Sequence, residues 1–132
     1  MIERYQYLEI EKIWNDQNKF DTWKLVEQKY LETLEENNIS PSGIAEVIEK
    51  TEILKDEVYE REKITNHDLA SFVDILQSKV GDNSNWIHYG LTSSDVVDTA
   101  NSLLIKKSLS ITIELLDELL KQIEAKAKQE MH

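Results

Sequence analysis

Cysteine is absent from this chain, and with it any disulfide or thiolate metal site. Turn formers are nearly absent too: 132 residues hold one proline and three glycines. That scarcity argues against a many-stranded β protein and for a few long helices. Runs of basic residues are missing. Lys and Arg number 15 against 26 Asp and Glu, a formal net charge of -11. Phosphate neutralisation needs clustered cations, so no nucleic-acid partner is expected. No apolar stretch is long enough to span a bilayer, and Met1-Ile2-Glu3-Arg4-Tyr5 lacks the basic and apolar blocks of a signal peptide. No membrane partner and a cytoplasmic location are expected. Repeats and low-complexity segments are also lacking.

What is present is helical periodicity. Leu8 to Trp14 suggests a short first helix. A second is expected from about Gln17 to Glu36, with Asp16 as its cap. Its stripe of Phe20, Trp23, Val26, Tyr30, Leu31 and Leu34 recurs at three- and four-residue steps and reads as core. Ser40 as N-cap and Pro41 at the first helical position predict a third helix ending near Lys50. A further helical pattern runs from about Lys55 to Val80, stopped by Gly81. Inside it, Ile64-Thr65-Asn66-His67-Asp68 predicts a break, because Thr and Asn compete for the backbone.

From Ser93 nearly to the end no breaker occurs. Val96, Ala100, Leu103, Leu104, Ile111, Leu115, Leu116, Leu119, Leu120, Ile123 and Ala127 keep a helical period. Such a helix would be roughly 55 Å long, and nothing else in the chain is large enough to cover it. Partner helices are implied, unless a kink near Lys106-Lys107-Ser108 folds it back. The fold class is all-α. A small N-terminal helical domain, 1–91, precedes the first long helix of a helical bundle, 92–132.

The stretch Trp86 to Asp95 holds a histidine, a glycine and three adjacent hydroxyls just before that helix. Free N–H groups and the helix dipole suit such a place to an anion. Thr92 and Asp95, three residues apart, also form a plain capping pattern, and both readings stand together. His67 and His88 sit in polar, turn-like contexts, where each could serve structure alone or act as acid, base or phosphate ligand. No His-x-x-x-His pair exists, so no metal is expected. Ser93 and Ser94 lack a hydrolase elbow.

The motifs Met1-Ile2-Glu3-Arg4-Tyr5, Ile13-Trp14, Asn18-Lys19-Phe20, Thr65-Asn66-His67-Asp68 with Ala70 and Phe72 after it, and His88-Tyr89-Gly90-Leu91-Thr92-Ser93-Ser94-Asp95-Val96-Val97-Asp98-Thr99-Ala100 occur in this order. In this the chain resembles the N-terminal part of the adenylosuccinate lyase family, within the fumarase and aspartase superfamily. The resemblance implies an enzyme that eliminates fumarate from adenylosuccinate, giving AMP, and from the succinyl-carboxamide ribotide of purine biosynthesis. It implies a nucleotide substrate, no cofactor, and a homo-oligomer that is a tetramer in the full-length parent. Carried over, Arg4 and Tyr5 would bind the phosphate and ribose side. Asn66, His67 and Asp68 would line the pocket, although the family often has Arg where Asn66 stands. His67 would assist the chemistry, and His88 would lie near the phosphate or assist the chemistry. Thr92 and Ser93 would hold the succinyl carboxylate or another anionic group.

The family's main acid/base histidine lies in an Arg-Thr-His-Gly stretch, and its other catalytic residue is a serine in a mobile loop. Neither occurs here, and His132 lacks the Arg-Thr before it. The chain alone is therefore expected to be an inactive piece. The alternative is a complete small helical interaction or scaffolding module derived from a lyase, with the long helix as its docking surface.

Overall fold

The computed structural model describes residues 3–131. Met1 and Ile2, at the start of the family-like motif, and His132 lie outside the described residues. Among the described residues there is no strand. The described residues form six helices: α1 (Leu8–Trp14), α2 (Asp16–Glu36), α3 (Ile44–Lys50), α4 (Lys55–Thr65), α5 (Asp68–Val80) and α6 (Ser93–Glu130), with short 3-10 turns at Glu3–Tyr5 and Ser84–Trp86. The expected all-α class is the observed one.

The apolar stripe of α2 builds the core. Phe20, Trp23, Leu31 and Leu34 are all buried, and meet Ile44 and Ile48 from α3, Val58 from α4, and Leu69, Phe72 and Leu76 from α5. Phe20 and Phe72 lie parallel with centroids 6.2 Å apart. Trp23 stands edge-on to both, at 5.3 and 5.6 Å. Edge-to-face geometry places ring hydrogens on π faces, which adds to burial. Gln17 fastens the α3–α4 connection to α2, donating to the Ile53 carbonyl (2.7 Å) and accepting from the Lys55 N–H (3.0 Å).

Two helix starts differ from expectation. Asp16 is already helical; the cap is Asn15, whose side chain accepts from the Asn18 N–H at 2.9 Å. Helix α3 begins not at Ser40-Pro41 but at Ile44, behind Gly43 at φ +94°. The reason is tertiary. The Glu35 carboxylate, at the end of α2, accepts from the N–H groups of Gly43 (3.0 Å) and Ala45 (2.8 Å). It satisfies the orphan donors that a local cap would have taken. Ser40 is buried with no hydrogen-bond partner for its hydroxyl. Gly43 sits in the left-handed region, which an L side chain rarely adopts.

The break expected between Ile64 and Asp68 is present. Asn66 adopts φ +53° and ends α4, its N–H donating to the Glu62 carbonyl at 2.8 Å. Asn tolerates this conformation because its short polar side chain can bond locally. Helix α5 then turns back along α4.

Helix α6 runs unbroken through Lys106-Lys107-Ser108. Its first half packs on α2 and α1, burying Val96, Ala100 and Leu104. Trp14 of α1 donates its indole N–H to the Ser108 hydroxyl at 2.8 Å. Beyond Ile111 every described residue is exposed, including Ile113, Leu116, Leu119, Leu120 and Ile123. None of the described helices is long and apolar enough to cross a membrane.

Replacing Phe72 with Ala is expected to cost about 3–5 kcal/mol, because it removes both transfer energy and the packing around the hole it leaves. Ile64→Ala, on an exposed face of α4, should stay within about 0.5 kcal/mol. Urea midpoints of the two variants check this; equal losses would mean that the aromatic cluster is not the core.

Candidate functional site

Three chain breaks converge on one place. The first is the connection from α5 to α6. It is pinned by buried Ile87, and Tyr30 of α2 donates its hydroxyl to the Tyr89 carbonyl at 3.0 Å. Within it His88 takes φ +62°, a left-handed conformation that costs roughly 1–2 kcal/mol for a residue with a Cβ. What holds it there is Glu27. One carboxylate oxygen accepts from the His88 backbone N–H at 2.9 Å, and the other meets the ring Nδ1 at 2.7 Å. Glu27 is 1% exposed. A buried carboxylate survives only if fully partnered, and here both oxygens are.

The second break joins α4 to α5. Thr65 donates its hydroxyl to the His67 carbonyl (3.1 Å), and buried Ser71 donates to the same carbonyl (2.8 Å). His67 is the N-cap of α5. Its Nδ1 accepts from the Ala70 N–H at 3.3 Å. The Asp68 carboxylate lies 3.7 Å from the same nitrogen, an attraction that would need a proton on Nδ1. That carboxylate instead accepts from the Leu69 N–H at 2.7 Å. The backbone bond to Nδ1 therefore decides the tautomer, putting the ring proton on Nε2.

The third break is the start of α6. The Thr92 N–H donates to the Asp95 carboxylate at 2.8 Å, so the capping reading of this pair holds. Ser93, the first residue of the helix, is half-buried beside it.

Between these breaks lies a cavity of about 210 Å3. His67, His88 and Ser93 line it together with Asp74, over a floor of Leu69, Ala70 and Val73. Two imidazoles, a hydroxyl and a carboxylate thus face one space, a set able to move protons and to hold anionic or hydroxyl groups. Asp74 is engaged by the Arg61 guanidinium at 2.7 Å.

The other expected site residues sit elsewhere. Asn66 lines a separate groove with Tyr59, Glu62 and Lys63. Asp68 and Thr92 are spent on backbone N–H groups or caps, beside the cavity rather than in it. Arg4 and Tyr5 are exposed, the guanidinium resting 4.9 Å over its neighbour's ring. Among the described residues no three His, Asp or Glu side chains converge as a metal site would require.

Glu27 escaped the reading of the sequence, although a signal was there. It falls seven residues after Phe20 and seven before Leu34, in phase with the buried stripe. An acid at a core position of an amphipathic helix is the anomaly that marks a buried polar contact.

Residues 7–132 match a family model described as Lyase. The chain is 38% identical over 130 residues to the adenylosuccinate lyase of Bacillus subtilis, covering 98% of this chain and 30% of that protein. It is 38% identical over 119 residues to the adenylosuccinate lyase of Thermotoga maritima, covering 89% and 28%. For the adenylosuccinate lyase of Aquifex aeolicus the figures are 36% over 127 residues, covering 93% and 29%. The chain therefore spans less than a third of the length of these relatives.

Beside the Asn66 groove, burial pushes the Tyr59 hydroxyl up to about 12, and the hydrogen bond and charge of Asp16 add to the shift. The folded value lies above the ordinary tyrosine value of about 10. The neutral phenol thus contributes stability that is fully present below pH of about 10 and lost as pH rises through about 12. Phenolate absorbance should show one of the five tyrosines titrating last while helix content persists, and Tyr59→Phe should delete that step. A single titration of all five near the ordinary value would contradict it.

Proposed function

The chain belongs to the lyase family, and from that membership we propose that it is the substrate-binding N-terminal part of an adenylosuccinate lyase. Residues 1–91 act as its N-terminal domain and 92–132 as the first helix of a central bundle. The whole enzyme eliminates fumarate from adenylosuccinate, giving AMP, and from the succinyl-carboxamide ribotide of purine biosynthesis, in the cytoplasm and without a cofactor. The proton next to a carboxylate is removed, the C–N bond breaks, the C=C bond of fumarate forms, and the departing nitrogen is protonated.

The observation that carries this reading is the cavity. His67, His88 and Ser93 come from two separate stretches of the family-like motifs, and they line one space. In the proposed enzyme the two histidines assist proton transfer and anion binding. Ser93, with Thr92, holds a carboxylate of the succinyl group. Arg4 and Tyr5 reach the phosphate and ribose side, and Asn66 and Asp68 complete the rim.

Two features support an inactive chain and an active assembly. A cavity of about 210 Å3 is below the roughly 300–1,000 Å3 of sites that enclose a small-molecule ligand, so further walls must come from elsewhere. The uncovered apolar face of α6 supplies the means of bringing them, as one helix of a homotetrameric bundle.

Fumarate release from adenylosuccinate is the decisive assay. This chain alone should give none. In the full-length enzyme His67→Ala or His88→Ala should lower kcat/KM by about 10²–10⁴-fold, the usual worth of a positioned acid or base. Both variants within threefold of the parent would remove the histidines from the chemistry.

Sedimentation of this chain should show a dimer or larger species, and Leu116→Glu combined with Leu120→Glu should reduce it to a monomer. A parent chain that is already strictly monomeric would count against the bundle.

A further inference from the structure

Glu27 is the most deeply buried acid near the cavity, and the roles assigned above do not use it. It lies on the inner face of α2, 1% exposed, and both of its oxygens are committed to a single residue of a distant loop. One oxygen takes the His88 backbone N–H, a donor that cannot change. The other meets Nδ1, and a carboxylate there can only accept.

We propose that Glu27 is a positioning residue that keeps the His88 ring proton on Nδ1, so that the Nε2 lone pair is the part of the ring left for the cavity. The chemical use of that lone pair rests on the lyase reading; the positioning itself does not. His67 is held the opposite way. Its Nδ1 accepts from the Ala70 N–H, so its proton is on Nε2. The two imidazoles that share the cavity thus carry opposite polarity. When both are neutral, His67 presents a donor and His88 an acceptor, as a pair that serves as acid and base would require.

Glu27→Gln isolates the effect with little change in shape. The amide has one acceptor and two donors. Its carbonyl is needed by the fixed backbone N–H of His88, which turns its NH2 toward Nδ1. The imidazole is the one partner that can switch, and it does so by moving its proton to Nε2.

Long-range nitrogen–carbon NMR of the imidazoles, at a pH where both rings are neutral, reads this directly. His67→Ala and His88→Ala spectra assign the signals. In the parent chain His88 should show the protonated-type nitrogen at Nδ1 and His67 at Nε2. In Glu27→Gln the His88 pattern should invert, while His67, which does not touch Glu27, stays unchanged and serves as the internal control for folding. A parent His88 protonated at Nε2, or a pattern unmoved by the substitution, overturns the proposal and leaves the lyase reading standing. Inversion accompanied by unchanged kcat and KM in the full-length enzyme would confirm the positioning by Glu27 and count instead against a chemical role for His88.

Discussion

The stacking of Phe20 on Phe72, closed edge-on by Trp23, fixes α2 against α5. Much else follows from that registration. Glu27 is two helical turns beyond Phe20 on the same face, about 10 Å along the axis, and this carries it under the α5–α6 loop that holds His88. Glu35 is two turns further still, where it meets the backbone at the start of α3. One helix face thus delivers apolar side chains to the core on both sides of Glu27, and carboxylates to backbone donors at its middle and near its end. Loosening the aromatic cluster would therefore disturb both the α3 start and the His88 loop, which share its core through Ile44 and Ile87.

The helices themselves were legible in the sequence because amphipathic periodicity is a local property. The span Leu8–Trp14 is set by its own residues, and so is the break at Asn66, where a residue tolerant of positive φ stands between two stretches with apolar period. The caps were less legible. Ser40-Pro41 is a sound local start signal, but Glu35 supplies acceptors from another helix, and a carboxylate on two N–H groups outweighs one serine hydroxyl. The candidate site was legible in part for the same reason. His67, His88 and Ser93 stand out by residue type and turn context. That they share a cavity depends on how α4–α5 and α6 pack on α2, which no local pattern encodes. Glu27 was hidden deepest, since its partner lies 61 positions away.

Helix α6 divides at about Ile111. Up to Ile111 apolar positions are covered by neighbouring helices, chiefly α1 and α2; after it, the same period continues with nothing among the described residues against it. Roughly 25 cal/mol is at stake for each square ångström of apolar surface, and exposed Ile113, Leu116, Leu119, Leu120 and Ile123 recur along this half of the helix. Charged residues occupy the remaining faces, so the second half keeps the amphipathic design of a helix built to be partly covered.

The cavity is built where helices stop, and there is a physical reason for that. Inside a helix every backbone group is already bonded and side chains radiate outward. At a break, the chain can turn a side chain inward and use orphan N–H groups to hold it. His67 is oriented by the N–H of Ala70 at the start of α5, and His88 by a carboxylate that first had to secure its backbone in a left-handed turn. Each ring has one nitrogen engaged with the fold and one left over. Because one fold contact is a donor and the other an acceptor, the two remaining nitrogens differ in kind, so the fold itself makes the two histidines chemically unequal before any ligand arrives.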